Sequence, residues 1–292
     1  TLDYPWVRGE AYEISVLSGN SIAFGTSIPV ASATATASAG TFLGFTLIGL
    51  YVGILPVVLG MFWLPVLRGI GQRATLFLMA ATVGLLLYLG IDATTEALEV
   101  AGKLGGAFQG VGIVGIGIVG TWLLLDAIGR RPREAERDGA SQRHAMAMVI
   151  AVGIGLHNLG EGLAIGAAYA VGASALGTFL VVGFILQNIT EGLGIIIPVA
   201  RDRPSLRTLA LLGAIGGGPA IVGAWVGGLV SSEPLSVLFL AVGAGAVFQV
   251  AYAIGRQMVW NRDPATERMP LVTLAGVLAG MSVLYLTGIA IK

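Results

Sequence analysis

The sequence predicts an all-α integral membrane protein with eight transmembrane helices. Three observations carry this expectation. The 292 residues are 55% hydrophobic and only 11% charged, whereas soluble domains carry about 25% charged residues; mean hydropathy is +0.87. Glycine is abundant, at 45 residues, but has no collagen period, as suits helices packed closely in a bilayer. Eight stretches reach about 20 mostly apolar residues, enough to cross the hydrocarbon core. The same composition excludes disorder, which needs low hydrophobicity and high charge. There is no cysteine, hence no disulfide framework and no thiolate chemistry. Lys plus Arg equals Asp plus Glu, 16 each, so no nucleic acid is expected as a partner.

Residues 1–38 read as a leader, rich in Ser, Thr, Ala and Gly. An irregular or amphipathic segment is expected there, with a poor ninth span as the alternative. It has no basic n-region, so it does not read as a signal peptide; the absence of Met at position 1 suggests trimming. Residues 39–292 form the membrane domain. Its spans are expected at 41–65, 74–93, 105–129, 144–171, 174–199, 207–230, 235–258 and 270–291. The longest polar break is the charged loop 130–143.

Basic residues set the orientation, because positive charge stays on the cytoplasmic side. With the start of the first span outside, the connections 1–2, 3–4, 5–6 and 7–8 face the cytoplasm. They hold Arg68, Arg73, Arg130, Arg131, Arg133, Arg137, Arg143, Arg201, Arg203, Arg207, Arg256, Arg262 and Arg268. Only Arg8, Lys103 and Lys292 fall on the other side. A multi-pass protein of the inner (plasma) membrane is expected, with both ends of the eight-span region extracytoplasmic.

Glu161 and Glu191 stand out because they fall mid-span, in spans four and five, with His157 one turn before Glu161. An ionisable group in hydrocarbon costs about 2.5–3.5 kcal/mol on insertion scales, so these groups need compensation. Their surroundings repeat: HNLGEGLAI (157–165) and QNITEGLGI (187–195) agree at five of nine positions. In each, a polar residue with a ligand atom stands four before the Glu, which puts both on one helical face. Adjacent spans run antiparallel, so matching motifs imply an inverted pseudo-two-fold relation with a site near the midplane.

An imidazole, two carboxylates and amide oxygens make a mixed N/O shell suited to Zn²⁺ and other first-row divalent ions. The bland alternatives are a hydrogen-bonding Glu, a core His, and Asn158 and Asn188 as bridges between helices. Duplication weighs against the first for both glutamates. The Asn pair has the larger claim to bridging.

HNLGEG followed by QNITEG within eight spans resembles the ZIP (Zrt-/Irt-like protein) family of divalent metal transporters, and its bacterial GufA-like members most. The resemblance covers about residues 40–292 and is specific only in spans four and five. It implies a transporter, not an enzyme, carrying a divalent transition metal into the cytoplasm. Zn²⁺ is the first expectation; Fe²⁺, Mn²⁺, Co²⁺ and Cd²⁺ also suit such donors. No organic cofactor is expected. The resemblance also implies a homodimer and elevator-like alternating access, with spans one, four, five and six moving against two, three, seven and eight. By position, His157, Asn158, Glu161, Gln187 and Glu191 match the family's metal ligands, and Asn188 joins them as a weaker candidate.

This sequence departs from the family pattern at several places. Gly160 and Thr190 stand where relatives often have Pro before the motif Glu. Asn188 replaces an Asp of two-metal relatives, and Ala220 in span six replaces a Glu; one metal per chain is therefore expected. His144 is the only histidine near the 3–4 loop, and AVFQVAYAIG (246–255) lacks the His-Glu pair often found in span seven. Met79 in span two matches a thioether ligand of some relatives, unless a one-residue shift puts Leu78 there; core packing is its other reading. Asp92, Glu96 and Glu99 share one face near the outer end of span two and would gather cations at an entrance, or simply solvate a helix end.

Two rival classes remain. One is an intramembrane metal-dependent hydrolase, with His157 and Glu161 holding a metal and its water, although HExxH is absent. The other is a metal-gated channel or sensor, from which saturable flux would separate a carrier.

Overall fold

The computed structural model describes residues 4–7, 9–28, 36–129, 139–170, 172, 174–230, 232–260 and 270–291. Eight helices are long and apolar enough to cross a membrane, and the chain is an all-α membrane protein by architecture. The spans are Ala39–Leu67, Gln72–Ala101, Gly106–Ile128, Gly139–Ala170, Leu176–Ile196, Leu206–Leu229, Glu233–Met258 and Pro270–Ile289. They are numbered one to eight below. Span two runs eight residues further than hydropathy predicted, so Asp92, Glu96 and Glu99 belong to one unbroken helix.

The leader differs from expectation. Tyr12–Leu17 (β1) and Ala23–Ile28 (β2) pair antiparallel, Leu17 opposite Ala23 and Tyr12 opposite Ile28. The turn between them uses Ser21 at φ 62°, and Ser18 N donates to Ile22 O at 2.9 Å. Alternation through YEISV carries the β signal of the first strand; the second, AFGTSI, has none and is set by its pairing with the first. Residues 1–3 and 29–35 of the leader lie outside the described residues. So do most of the loop 130–143 and Arg8, Arg130, Arg131, Arg133, Arg137, Arg262, Arg268 and Lys292 of the charge count.

Span one begins at Ser38, whose side chain accepts from Thr41 N at 3.1 Å. This N-cap satisfies one of the orphan donors of the first turn. The span is not uniform. An α segment, Ala39–Gly49, passes into a π segment, Leu50–Ile54, and then into a second α segment, Leu55–Met61. Pro56 explains the irregularity, because it has no N–H for the carbonyl four residues earlier. Span six is interrupted likewise. Leu206–Gly217 and Pro219–Leu229 meet at Gly216-Gly217-Gly218-Pro219. Spans four and five are continuous through their motifs, where Gly160 and Thr190 stand in place of proline.

Span one packs on spans five and six, and span four on spans five and six, a first group; span two packs on spans three, seven and eight, and span three on span seven. The two sets are not separate: along the seam between them span four packs on span seven more extensively than on span five, and span eight also touches span five.

Within the first group the contacts are backbone to backbone. A Cβ added at Gly155, Gly162 or Gly166 of span four would meet the Ile215, Ala220 or Ala224 carbonyl of span six, and one at Gly223 or Gly227 would meet the Leu159 or Leu163 carbonyl. Small residues at helical spacing let the axes approach this closely. Away from the seam, spans three and eight turn Val111, Ile116, Leu123, Leu271, Leu278 and Leu286 outward, the surface a lipid-facing helix needs.

One end of the bundle carries polar ties. Arg143 Nε donates to Asp202 Oδ2 at 2.7 Å and its NH2 pairs with Asp202 Oδ1. Arg201 donates to Ile70 O at 3.0 Å and Thr75 Oγ1 at 3.2 Å. Span one is fastened to span six by Trp225, whose Nε1 donates to Thr46 Oγ1 at 3.0 Å while its ring lies edge-on to Phe42.

Gly227→Val should lower stability by about 1–3 kcal/mol, the usual cost of overpacking. Gly120→Ala, where a Cβ meets nothing within 4 Å, should be neutral or slightly stabilising. Thermal unfolding of the two purified variants beside the wild type checks this; equal midpoints for Gly227→Val and wild type would remove the close-packing account.

Candidate metal centre

Eight polar or charged residues are buried among the described residues, and five of them belong to the two motifs: His157, Asn158, Glu161, Asn188 and Glu191. The other three are Thr82, Asp126 and Gln249. The concentration is local and its geometry is specific. His157 and Glu161 lie one turn apart on span four, with Nε2 and Oε1 separated by 3.4 Å. Glu191 enters from span five. One ligand-capable atom from each of the three lies within 4.8 Å of the others. Donors about 2 Å from a shared ion stand roughly 3–4 Å apart, so a side-chain adjustment suffices to close this set on a cation.

The amides bind the set together. Gln187 Nε2 donates to Glu161 Oε1 at 2.5 Å and lies 3.2 Å from His157 Nε2. Asn188 Nδ2 donates to Glu161 Oε2 at 3.1 Å. Both Glu161 oxygens therefore take an N–H from span five. Glu191 is less well supplied: neither of its oxygens makes a hydrogen bond of good geometry, although the Asn158 and Gln187 amides stand close to it, and it is fully buried. Asn158 Oδ1 and Asn188 Oδ1 are also buried and unpartnered. Unsatisfied buried acceptors are costly. Here four such oxygens come from one pair of nine-residue motifs, and a bound cation is one partner that would satisfy several acceptors at once.

A cavity reaches the centre from one side. Asp92, Ala93 and Glu96 of span two, His157 and Glu161 of span four, Phe184 and Gln187 of span five and Leu240 of span seven line it. Two of the three predicted entrance acids thus share a cavity with the centre. Glu99 is exposed and does not line it; it shares their face but lies further along the helix, about 10 Å from Asp92. Glycine makes room at the seam: a Cβ on Gly243 of span seven would press on the His157 backbone.

Met79 is half-buried in the apolar cluster around Leu85, Leu86, Ile150, Ile196 and Leu212. This placement supports its core-packing reading, and Leu78 packs in the same cluster. Ala220 is fully buried, close enough that a Cβ on Gly53 or Gly162 would touch it. Its small side chain fits the junction of spans one, four and six, and a carboxylate there would have to push them apart.

Sequence reasoning missed the backbone contributions. Asn188 Nδ2 also donates to Val52 O at 2.9 Å, and Asn158 Nδ2 donates to Gly216 O at 3.0 Å. The signal was present as mid-span prolines, Pro56 and Pro219, beside glycines. No family model and no curated protein matches the chain.

Met79→Leu should leave metal binding unchanged and cost under about 1.5 kcal/mol, as volume-conserving core swaps do. A tenfold or greater loss of Zn²⁺ affinity in calorimetry would instead return Met79 to the ligand set.

Proposed function

We propose that the chain carries a divalent transition-metal cation across the membrane through the His157–Glu161–Glu191 centre. The observation that carries this reading is the cluster of buried, unpartnered acceptor oxygens beside an imidazole, inside an eight-span body, with an acid-lined cavity leading to it. Two glutamates balance two positive charges, which makes a dication tolerable at that depth. His157, Glu161 and Glu191 hold the ion; Gln187, Asn158 and Asn188 contribute amide oxygens when their side chains turn toward it. Zn²⁺ heads the expected substrates, with Fe²⁺, Mn²⁺, Co²⁺ and Cd²⁺ behind it, because all accept N/O donors. Asp92 and Glu96 attract the cation into the cavity. With Asn at 188 and Ala at 220, one ion per chain is the expected load.

The resemblance to ZIP transporters agrees with this reading and extends it. It supplies uptake toward the cytoplasm, a homodimer in the plasma membrane and an elevator-like motion. Spans one, four, five and six pack on one another, and so do spans two, three, seven and eight; this agrees with such a motion, and span four packing on span seven would be the face along which the two sets move. The repeated motif and its repeated neighbours support an inverted internal symmetry.

Glu161→Ala and Glu191→Ala should each nearly abolish flux of Zn²⁺ into proteoliposomes while the protein still inserts and remains monodisperse. Each leaves a dication short of one balancing charge. Wild-type flux from both variants, measured across the metal panel, would sink the assignment.

Acid should weaken binding. Metal ligation needs a neutral imidazole and ionised carboxylates, so protons and metal compete for the same atoms. Affinity therefore falls as pH falls, and binding releases protons at acid pH. Calorimetry in buffers of different ionisation enthalpy reads this directly; a binding heat independent of the buffer would exclude the competition.

A further inference from the structure

The two motif asparagines do the same thing to different partners. Asn158 donates to Gly216 O, three residues before Pro219 of span six; Asn188 donates to Val52 O, four residues before Pro56 of span one. Both asparagines are fully buried. Val52 is the residue whose carbonyl a regular helix would have paired with an N–H at position 56, which proline lacks.

The neighbours match as well. A Cβ on Gly162 would meet the carbonyl of Ala220, the residue after Pro219; one on Gly192 would meet the carbonyl of Val57, the residue after Pro56. Gly223, four beyond Pro219, faces the Leu159 carbonyl; Gly60, four beyond Pro56, faces the Ile189 carbonyl. Leu159 and Ile189 hold the same place in the two motifs. The single offset, three residues against four, falls where span one runs through its π segment.

We infer that Asn158 and Asn188 are positioning residues: each hangs its motif helix on a backbone carbonyl presented by a proline-interrupted neighbour, and so sets where Glu161 and Glu191 stand. This deepens the metal-site reading above and rests on it. The amide is the right group. Its Nδ2 donates to the carbonyl while its Oδ1, unpartnered in both residues, stays available to the centre. In Asn188 the same nitrogen also donates to Glu161 Oε2, so one side chain links span one, span five and a carboxylate of span four. Loss of such outer contacts in metal sites typically lowers affinity 10–100-fold.

Aspartate separates positioning from simple coordination. It keeps an oxygen for the metal and adds charge, but it removes the N–H and faces an oxygen to the Val52 or Gly216 carbonyl. The full chain in nanodiscs is titrated with Co²⁺, followed by its visible absorption, and unfolded thermally in the presence of a chelator. Asn158→Asp and Asn188→Asp should each weaken Co²⁺ by roughly tenfold or more. In metal-free protein, Asn188→Ala should lower the unfolding midpoint. Pro56→Ala, which gives the Val52 carbonyl a backbone N–H, should remove most of that loss when combined with it, the non-additivity expected of groups sharing a partner.

Aspartate variants that bind Co²⁺ as tightly as wild type, or an Asn188→Ala loss that is the same with and without Pro56, would overturn the inference. If an aspartate variant does not fold, the proline–asparagine cycle still decides. If wild type fails to bind Co²⁺, the metal-site reading falls alone, and the metal-free unfolding cycle continues to test the clamp.

Discussion

A carboxylate buried in the middle of a membrane helix has to be compensated, and much of the arrangement around span five follows from Glu191. Hydrocarbon supplies no hydrogen bonds, and a charge there is tolerated only beside partners. Neither Glu191 oxygen makes a hydrogen bond of good geometry, although the Asn158 and Gln187 amides stand close to it. Its near neighbours are also Glu161 and His157, acceptors or titrating groups, which together make an acceptor-rich centre. Glu161 is well supplied by the Gln187 and Asn188 amides. The two glutamates are thus unequally supplied.

Holding such a centre together demands rigid helices at short separation. Span four supplies two ligand-type residues and meets span six through glycines on both sides of the contact. Span five meets span one in the same manner, at Gly60 and Gly192. Because the close contacts are between backbones, little rotamer freedom remains to blur the positions of Glu161 and Glu191. Across the seam toward span seven the contact is close at Gly153 and Gly243 and looser at Gly160, whose added Cβ would find Leu240 atoms only at ordinary distance.

Much of this was legible in the sequence. Hydropathy placed eight spans because a bilayer imposes length and apolarity on each one separately, a local rule that needs no knowledge of packing. The candidate site was legible for a similar reason: a mid-span Glu is costly enough that finding two, in matching nine-residue motifs, marks a place to look without coordinates. What escaped depends on three-dimensional neighbours. Met79 sits in a span and has a soft sulfur, but only the helices around it show the apolar cluster it packs against. Glu99 shares a face with Asp92 and Glu96 yet lies beyond the cavity. The hairpin was hidden because Ser, Thr, Ala and Gly dominate the leader, and AFGTSI becomes a strand through its partner rather than its own pattern. The pairing of asparagine side chains with carbonyls of spans one and six needed the interhelical register, which no single-span rule contains.

The glycine contacts of spans four and six bear on how this chain can change over generations. Every single-base substitution of a glycine codon that alters the residue adds at least a Cβ, and at Gly155, Gly162, Gly223 and Gly227 that carbon lands on a neighbouring backbone. No first mutational step at these positions is conservative, and a compensating change would have to move main chain. Gly115 and Gly120 of span three, with open space around them, are under no such restriction. The restriction follows backbone contact and not nearness to lipid: Gly276 and Gly280 of span eight, whose added Cβ would meet the Phe77 and Ala81 carbonyls, are held as tightly as the glycines around the centre.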